Sequence, residues 1–254
     1  MKLHHVSDGP ADGPPLVLLC SLGSTVDMWA PQRRDLAGEY RVITLDTRGH
    51  GGSPVADGPY EVADLALDAL ETLDDLGVER ASFAGVSLGG AVAQWIGLHA
   101  PERAASLAML CTAARFPNAD AFRDRATTAR TEGVASIADA VVARWFTDEF
   151  AETEPDTVRR MRDMIASTPA EGYAGCCEAV AAWDVVDQLG GITVPTLVVG
   201  GVEDPATPPE CQQILADGIP GARLETVTNA AHLASYQRPD VVTPLLREHA
   251  KGAS

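Results

Sequence analysis

The chain has 254 residues, 46% of them hydrophobic, and a formal net charge of −17, which is enough for one large domain with a sizeable core or for two small ones. So acidic a chain is unsuited to nucleic acid and to anionic membranes, and an anionic substrate would need local Arg or Lys to offset the global field. No apolar run approaches the roughly 18 residues of a membrane span, Met1-Lys2-Leu3-His4-His5 lacks the apolar stretch of a signal peptide, and the 5 cysteines show no C-x-x-C and no spacing with histidine that suggests zinc or a disulfide framework, so cytoplasmic residence without a metal is expected.

Short runs rich in Val, Leu and Ile alternate with helix-like stretches along the chain, the pattern of an α/β protein. Residues 15–20 predict the first strand, and because the run is continuous rather than alternating, the strand is expected to be covered on both faces. It leads into Ser21-Leu22-Gly23-Ser24-Thr25, where a glycine lets the backbone approach a ligand. Residues 27–37 predict a short helix and 41–46 a second strand. The stretch Asp46-Thr47-Arg48-Gly49-His50-Gly51 follows. It lacks the G-x-x-x-x-G-K of a phosphate loop, so Asp46 and Arg48 are expected to brace neighbouring loops and His50 to be structural. Residues 62–76 predict a helix, 81–87 a strand, 90–99 a helix and 105–111 a strand.

The alternation then stops. Residues 113–190 contain no strand pattern, only helix-length segments broken by Gly133, by Pro155 and by Pro169-Ala170-Glu171-Gly172. Strand patterns return at 195–201 and 222–228. A separate helical domain would leave these last strands without sheet partners. The economical organisation is therefore one sheet domain, 1–112 and 191–254, interrupted by a helical insertion over 113–190.

Gly85-Val86-Ser87-Leu88-Gly89 fits G-x-S-x-G, the pattern that turns a strand sharply into a helix with a serine at the apex. A serine hydroxyl is a weak nucleophile and needs a histidine base oriented by a carboxylate. The partners should follow in the order acid, then histidine, each on a loop after a strand. Asp204, after the strand at 195–201, and His232, after the strand at 222–228, fall where they are required. Glu203 is an adjacent rival for the acid, while His4, His5, His99 and His249 read as bystanders. The helix N-terminus behind Ser87 makes Leu88 N–H a candidate oxyanion donor, and Leu22 N–H in the early loop is the candidate second donor.

Taken together these residues resemble the α/β-hydrolases, and the likeness covers nearly the whole chain. It is closest to the 3-oxoadipate enol-lactonases of bacterial aromatic-acid degradation. Besides the elbow, it rests on Ser21-Leu22-Gly23 with Met28-Trp29, on Asp46-Thr47-Arg48-Gly49-His50-Gly51 and on Arg144-Trp145-Phe146-Thr147. The stretches more particular to the lactonases are Gly172-Tyr173-Ala174-Gly175-Cys176-Cys177-Glu178-Ala179 and Asp204-Pro205-Ala206-Thr207-Pro208-Pro209. The resemblance implies a mostly parallel twisted sheet flanked by helices, with a helical cap inserted after the sixth strand. It implies Ser87 as nucleophile, Asp204 as orienting acid, His232 as base, Leu22 and Leu88 as oxyanion hole, and Trp145 in the cap lining the pocket. It implies a small-molecule lactone or ester substrate and neither metal nor organic cofactor. Cys20 departs from the pattern, which has asparagine before Ser-Leu-Gly. The implied lactone bears a free carboxylate, for which Arg144 and Arg130 in the insertion are the candidate cations, Arg144 first because it adjoins Trp145. A carboxylesterase or cofactor-free perhydrolase on the same fold, and a low-turnover ligand receptor that keeps the triad, are the alternatives.

Overall fold

The sheet forms where the sequence is continuously apolar. The computed structural model describes residues 1–252. Its strands are β1 (His5–Asp8), β2 (Pro15–Leu19), β3 (Arg41–Leu45), β4 (Ala81–Val86), β5 (Ala104–Leu110), β6 (Thr196–Gly201) and β7 (Arg223–Val227). They build one 7-stranded sheet in the order β1-β3-β2-β4-β5-β6-β7. Every neighbouring pair is parallel except β1 with β3. Strands β4 and β6 are buried at every residue, as strands covered by helices on both faces must be. The edge strand β7 is more exposed and pairs Arg223 with Glu225 along its length, charges that discourage a second sheet from adding there. Strand β1 was not legible as a run, because it is short, largely half-buried and polar at three of its 4 residues.

The flanking helices are α1 (Ala30–Leu36), α2 (Val62–Asp75) and α3 (Leu88–His99). The helix predicted over 27–37 divides into a 3-10 turn, Val26–Trp29, and α1. Pro31 accounts for the division, since proline is tolerated in the first helical turn and not further in. Between β5 and β6 lie α4 (Ala119–Glu132), α5 (Ala138–Val142), α6 (Asp148–Thr153), α7 (Pro155–Ala166) and α8 (Ala170–Ala182). Gly133, at φ +81°, ends α4, Pro155 opens α7, and Pro169 immediately precedes α8, so the breakers act where the sequence put them. In this chain 5 strands, not six, precede this segment. The two ends of the segment are tied together: Val185 N–H donates to Ala114 C=O at 2.9 Å and Arg115 pairs with Asp184 at 3.2 Å. The chain closes with α9 (Pro209–Gly218), α10 (Ala234–Gln237) and α11 (Pro239–Lys251). No helix among the described residues is long and apolar enough to cross a membrane.

Helix α8 seats the segment on the loop between β3 and α2. A Cβ at Gly172 would overlap the backbone of Gly49, and one at Gly175 would run into the Tyr60 ring. Gly172→Ala is therefore expected to destabilise the protein by about 1–3 kcal/mol through overpacking, lowering the melting temperature by roughly 2–4 °C per kcal/mol. Thermal unfolding followed by circular dichroism checks this; an unchanged midpoint would mean that α8 does not bear on the 46–51 loop.

Candidate active site

The strand β4 turns into α3 at Ser87, whose φ of +56° lies in the left-handed region. Such a conformation costs on the order of 1–3 kcal/mol and persists only where the surroundings enforce it. Here they do. Ser87 N–H donates to Leu110 C=O at 2.9 Å, and Ser87 C=O accepts from the Thr112 hydroxyl at 2.7 Å and from Ala91 N–H at 3.1 Å. A Cβ at Gly85 would overlap the Gly89 carbonyl, and one at Gly89 would overlap Leu19, which is the steric reason for the glycine spacing. Ser87 lines a cavity of about 280 Å³, and among the described residues its hydroxyl has no hydrogen-bond partner.

His232, on the loop after β7, lines the same cavity. Its Nδ1 lies 2.9 Å from Asp204 Oδ2, on the loop after β6. The carboxylate also accepts from Ala206 N–H at 2.8 Å, Thr207 N–H at 3.0 Å and the Thr207 hydroxyl at 2.7 Å. Burial pushes the Asp204 carboxyl up, but the adjacent His232 and the Thr207 donors outweigh it and hold the group below its ordinary value. A carboxylate at that position accepts from Nδ1–H, which leaves His232 Nε2 as the free, basic nitrogen. Glu203 is exposed and its N–H bonds to Ala230 C=O at 3.0 Å, so the structure brings Asp204 and not its neighbour to the histidine.

The histidine loop is fastened to the helical segment. Leu233 N–H donates to Trp145 C=O at 2.8 Å. Gln237 accepts from Thr147 N–H at 3.3 Å and Ala231 N–H at 3.2 Å, and donates to the Thr147 hydroxyl at 2.6 Å and Asn229 C=O at 3.1 Å. Its whole amide is used in joining the two.

Leu22 lines the cavity and Leu88 is the first residue of α3. Among the described residues neither backbone N–H is paired with an acceptor, so both are free to meet a developing oxyanion. Cys20, at the point where the likeness leads one to expect asparagine, is buried, and burial pushes its thiol well above the ordinary value. The 46–51 loop beneath is held by Asp46, which accepts from Val26 N–H at 2.8 Å and Gly52 N–H at 2.9 Å, and by Arg48, which pairs with Asp68 at 2.6 Å.

Trp145 is only 3% exposed and lines the cavity beside Arg144. Burial pushes the Arg144 guanidinium below its ordinary value, and the like charge of Arg125 adds to this. Arg125, which sequence reasoning missed, lines the cavity too. It donates to the Tyr173 hydroxyl at 3.4 Å and lies over the Phe122 ring at 4.2 Å. Among the described residues neither Arg125 nor Arg144 is paired with a carboxylate. Arg130 is a correction: it lies outside the cavity, bound to Glu171 at 2.7 Å and to Glu178 at 2.5 Å. Five residues along a helix put Arg130 about 140° round from Arg125, where it meets Glu171 and Glu178 of α8 rather than the cavity. The sequence spacing puts Ala121, Phe122 and Arg125 on one helical face, and that face lines the cavity. Among the described residues there is no group of three or more His, Cys, Asp or Glu side chains that could hold a metal ion.

A sequence profile described as the alpha/beta hydrolase fold matches residues 14–239. The chain is 39% identical to 3-oxoadipate enol-lactonase 2 of Acinetobacter baylyi over 94% of its own length and 89% of that protein. It is similar in structure to the enol-lactonase from Burkholderia xenovorans LB400, with a TM-score of 0.96, 39% identity and coverage of 98% and 96% of the two chains. It is also similar to a thermophilic esterase from Thermogutta terrifontis, solved with malate bound, with a TM-score of 0.93, 31% identity and coverage of 99% and 93%.

Proposed function

The chain belongs to the α/β-hydrolase family, and from that premise we propose that it opens 3-oxoadipate enol-lactone to 3-oxoadipate, a step of bacterial aromatic-acid degradation. Ser87 is the nucleophile, His232 the base and Asp204 the acid that orients it; Leu22 and Leu88 N–H form the oxyanion hole, and residues 113–190 act as a cap over the site. The observation that carries the substrate class is the pair Arg125 and Arg144. Two guanidiniums without carboxylate partners share one small cavity with Ser87 and His232, and they offer a free substrate carboxylate the charge-assisted, bidentate contacts that guanidinium makes best. They also account for how so acidic a chain takes an anion: surface charge is screened beyond roughly 8 Å at physiological salt, whereas these two cations stand in the cavity itself.

In the reaction, Ser87 Oγ attacks the lactone carbonyl while its proton passes to His232 Nε2. The tetrahedral oxyanion is held by the two N–H groups, each worth about 2.7–4 kcal/mol in such sites. The ring C–O bond then breaks and the enolate leaves. It is less basic than an ordinary alkoxide, so the bond breaks without prior protonation; the enolate carbon then takes up the proton that His232 holds, which gives the ketone and returns His232 to its neutral form. Water, losing a proton to His232, next attacks the acyl-enzyme; the tetrahedral intermediate collapses as His232 returns that proton to Ser87 Oγ, and the acid released ionises to the second carboxylate.

The test follows the absorbance of enol-lactone generated in situ. Wild type is expected to clear it rapidly. Arg144→Met is expected to raise KM for the lactone roughly 10- to 150-fold, the worth of a hydrogen bond to a charged group, and to leave KM for 4-nitrophenyl acetate within about twofold. The likeness to the Thermogutta esterase favours carboxylesterase activity as the second reading. Hydrolysis of neutral esters with no decay of the lactone, or an Arg144→Met effect equal on both substrates, would favour it over the first.

A further inference from the structure

His50 is fully buried and belongs to none of the groups so far given a chemical role. Its Nδ1 lies 3.1 Å from Arg48 C=O and its Nε2 accepts from Gly23 N–H at 3.0 Å. Both partners are backbone groups with fixed roles, since a carbonyl only accepts and an N–H only donates. The proton is thereby assigned to Nδ1, and Nε2 presents its lone pair to Gly23. Burial pushes the imidazole below its ordinary value, which keeps this neutral form at pH 7.

Gly23 directly follows Leu22. In a trans peptide the C=O and N–H point in opposite directions. Ser21 C=O is held by Ser24 N–H at 3.2 Å and by the Ser24 hydroxyl at 2.7 Å, so the Leu22 N–H of the same peptide plane points away from Ser24. His50 holds the next plane through its Gly23 N–H. Leu22 is thus fixed from both sides, by Ser24 before it and by His50 after it. On Gly23, whose φ is +79°, an added Cβ would stand 3.0 Å from Tyr173 Cε2, so the buried Tyr173 ring backs the same residue.

We propose that His50 is the positioning residue of the oxyanion loop, holding Leu22 N–H on the developing oxyanion through its bond to Gly23; this rests on the assignment of Leu22 as an oxyanion donor. Without the imidazole acceptor, Gly23 N–H is left unpaired in the interior. The loop then relaxes towards another partner and takes the Leu22 donor out of the 2.7–3.1 Å range, measured from the oxyanion, in which such a donor works.

Two variants of similar polarity separate positioning from mere filling. In His50→Gln the amide oxygen reaches the place of Nε2 and can accept from Gly23. In His50→Asn the amide reaches only as far as Nδ1, so it can keep the Arg48 bond and not the Gly23 one. Steady-state hydrolysis of 4-nitrophenyl acetate is measured with inhibition by phenylboronic acid, which binds a catalytic serine as a tetrahedral anion. The Gln variant is expected to stay within about threefold of wild-type kcat. The Asn variant is expected to lose about tenfold or more in kcat, with KM within about twofold and boronate binding weakened in parallel. Equal losses in the two variants, a loss carried by KM, or failure of both to fold would assign His50 to maintenance of the fold and overturn the proposal alone. Esterase activity that survives Ser87→Ala, together with a wild type that does not bind the boronate, would instead overturn the oxyanion assignment, and the proposal with it.

Discussion

Ser87→Ala is expected to lower kcat by roughly 10⁴- to 10⁶-fold, the range found when the nucleophile of a serine triad is removed, while the protein folds as before. The fold should survive because the Ser87 hydroxyl holds nothing else in place: the turn is fastened by the Ser87 backbone, through Leu110, Thr112 and Ala91. An alanine at φ +56° carries the same left-handed conformation at much the same cost as the serine. Active-site titration with an aryl ester, set beside a thermal melt, checks both halves. An undiminished rate would remove Ser87 from the chemistry. A large fall in melting temperature would mean that the hydroxyl carries a structural load.

Asp204→Asn is expected to lower kcat about 10⁴-fold, as loss of the orienting acid does in other triads, whereas Glu203→Gln is expected to stay within about twofold. The asparagine side chain fits the pocket but turns one acceptor into a donor. His232 Nδ1 can meet that donor only as an acceptor, which moves the ring proton to Nε2, where a lone pair is required. Full loss with Glu203→Gln alone would transfer the role to the exposed neighbour. The same pair gives a stability test with a definite sign. Asp204 is held below the carboxyl value of 3.8 in the folded protein, so it contributes stability that is complete above that pH. That contribution is lost as pH falls through the lower, folded value. The Asn variant has none of it to lose. The stability gap between wild type and variant should therefore narrow on acidification below about pH 3.8, as read from denaturant midpoints.

The parts of the fold that were legible in the sequence were those fixed by local chemistry. Strand β4 announced itself because burial on both faces forces an apolar run, and the helix breaks at Gly133, Pro155 and Pro169 because those residues act on their own backbone. Strand β1 left no such mark, since its pairing with β3 asks little of its side chains beyond the register itself. Ser87, Asp204 and His232 were picked out by their spacing against the strands, and the structure sets Asp204 against His232 and lines one cavity with Ser87 and His232. Arg130 was misplaced because its carboxylate partners, Glu171 and Glu178, come from another helix, and a partner 41 or 48 residues away leaves no local trace. The bond of His50 to Gly23 left no local trace either, since it joins two loops 27 residues apart. Gly172 and Gly175 looked like a family signature, and only the packing of α8 against Gly49 and Tyr60 gives them a physical reason.

Gln237 has a consequence for how freely this scaffold can be recombined. With every polar atom of its amide committed across the seam between the histidine loop and the 145–147 stretch, it makes the helical segment a poor module for transplantation. A chimaera that received residues 113–190 from a relative would carry Thr147 and Trp145 away from the partners they were matched to. Residues 229–237 would have to travel with the graft, although they lie far along the chain, and any recombination scheme that cuts only at the two ends of the segment would take the cavity wall around Trp145 and the loop that carries His232 from different parents.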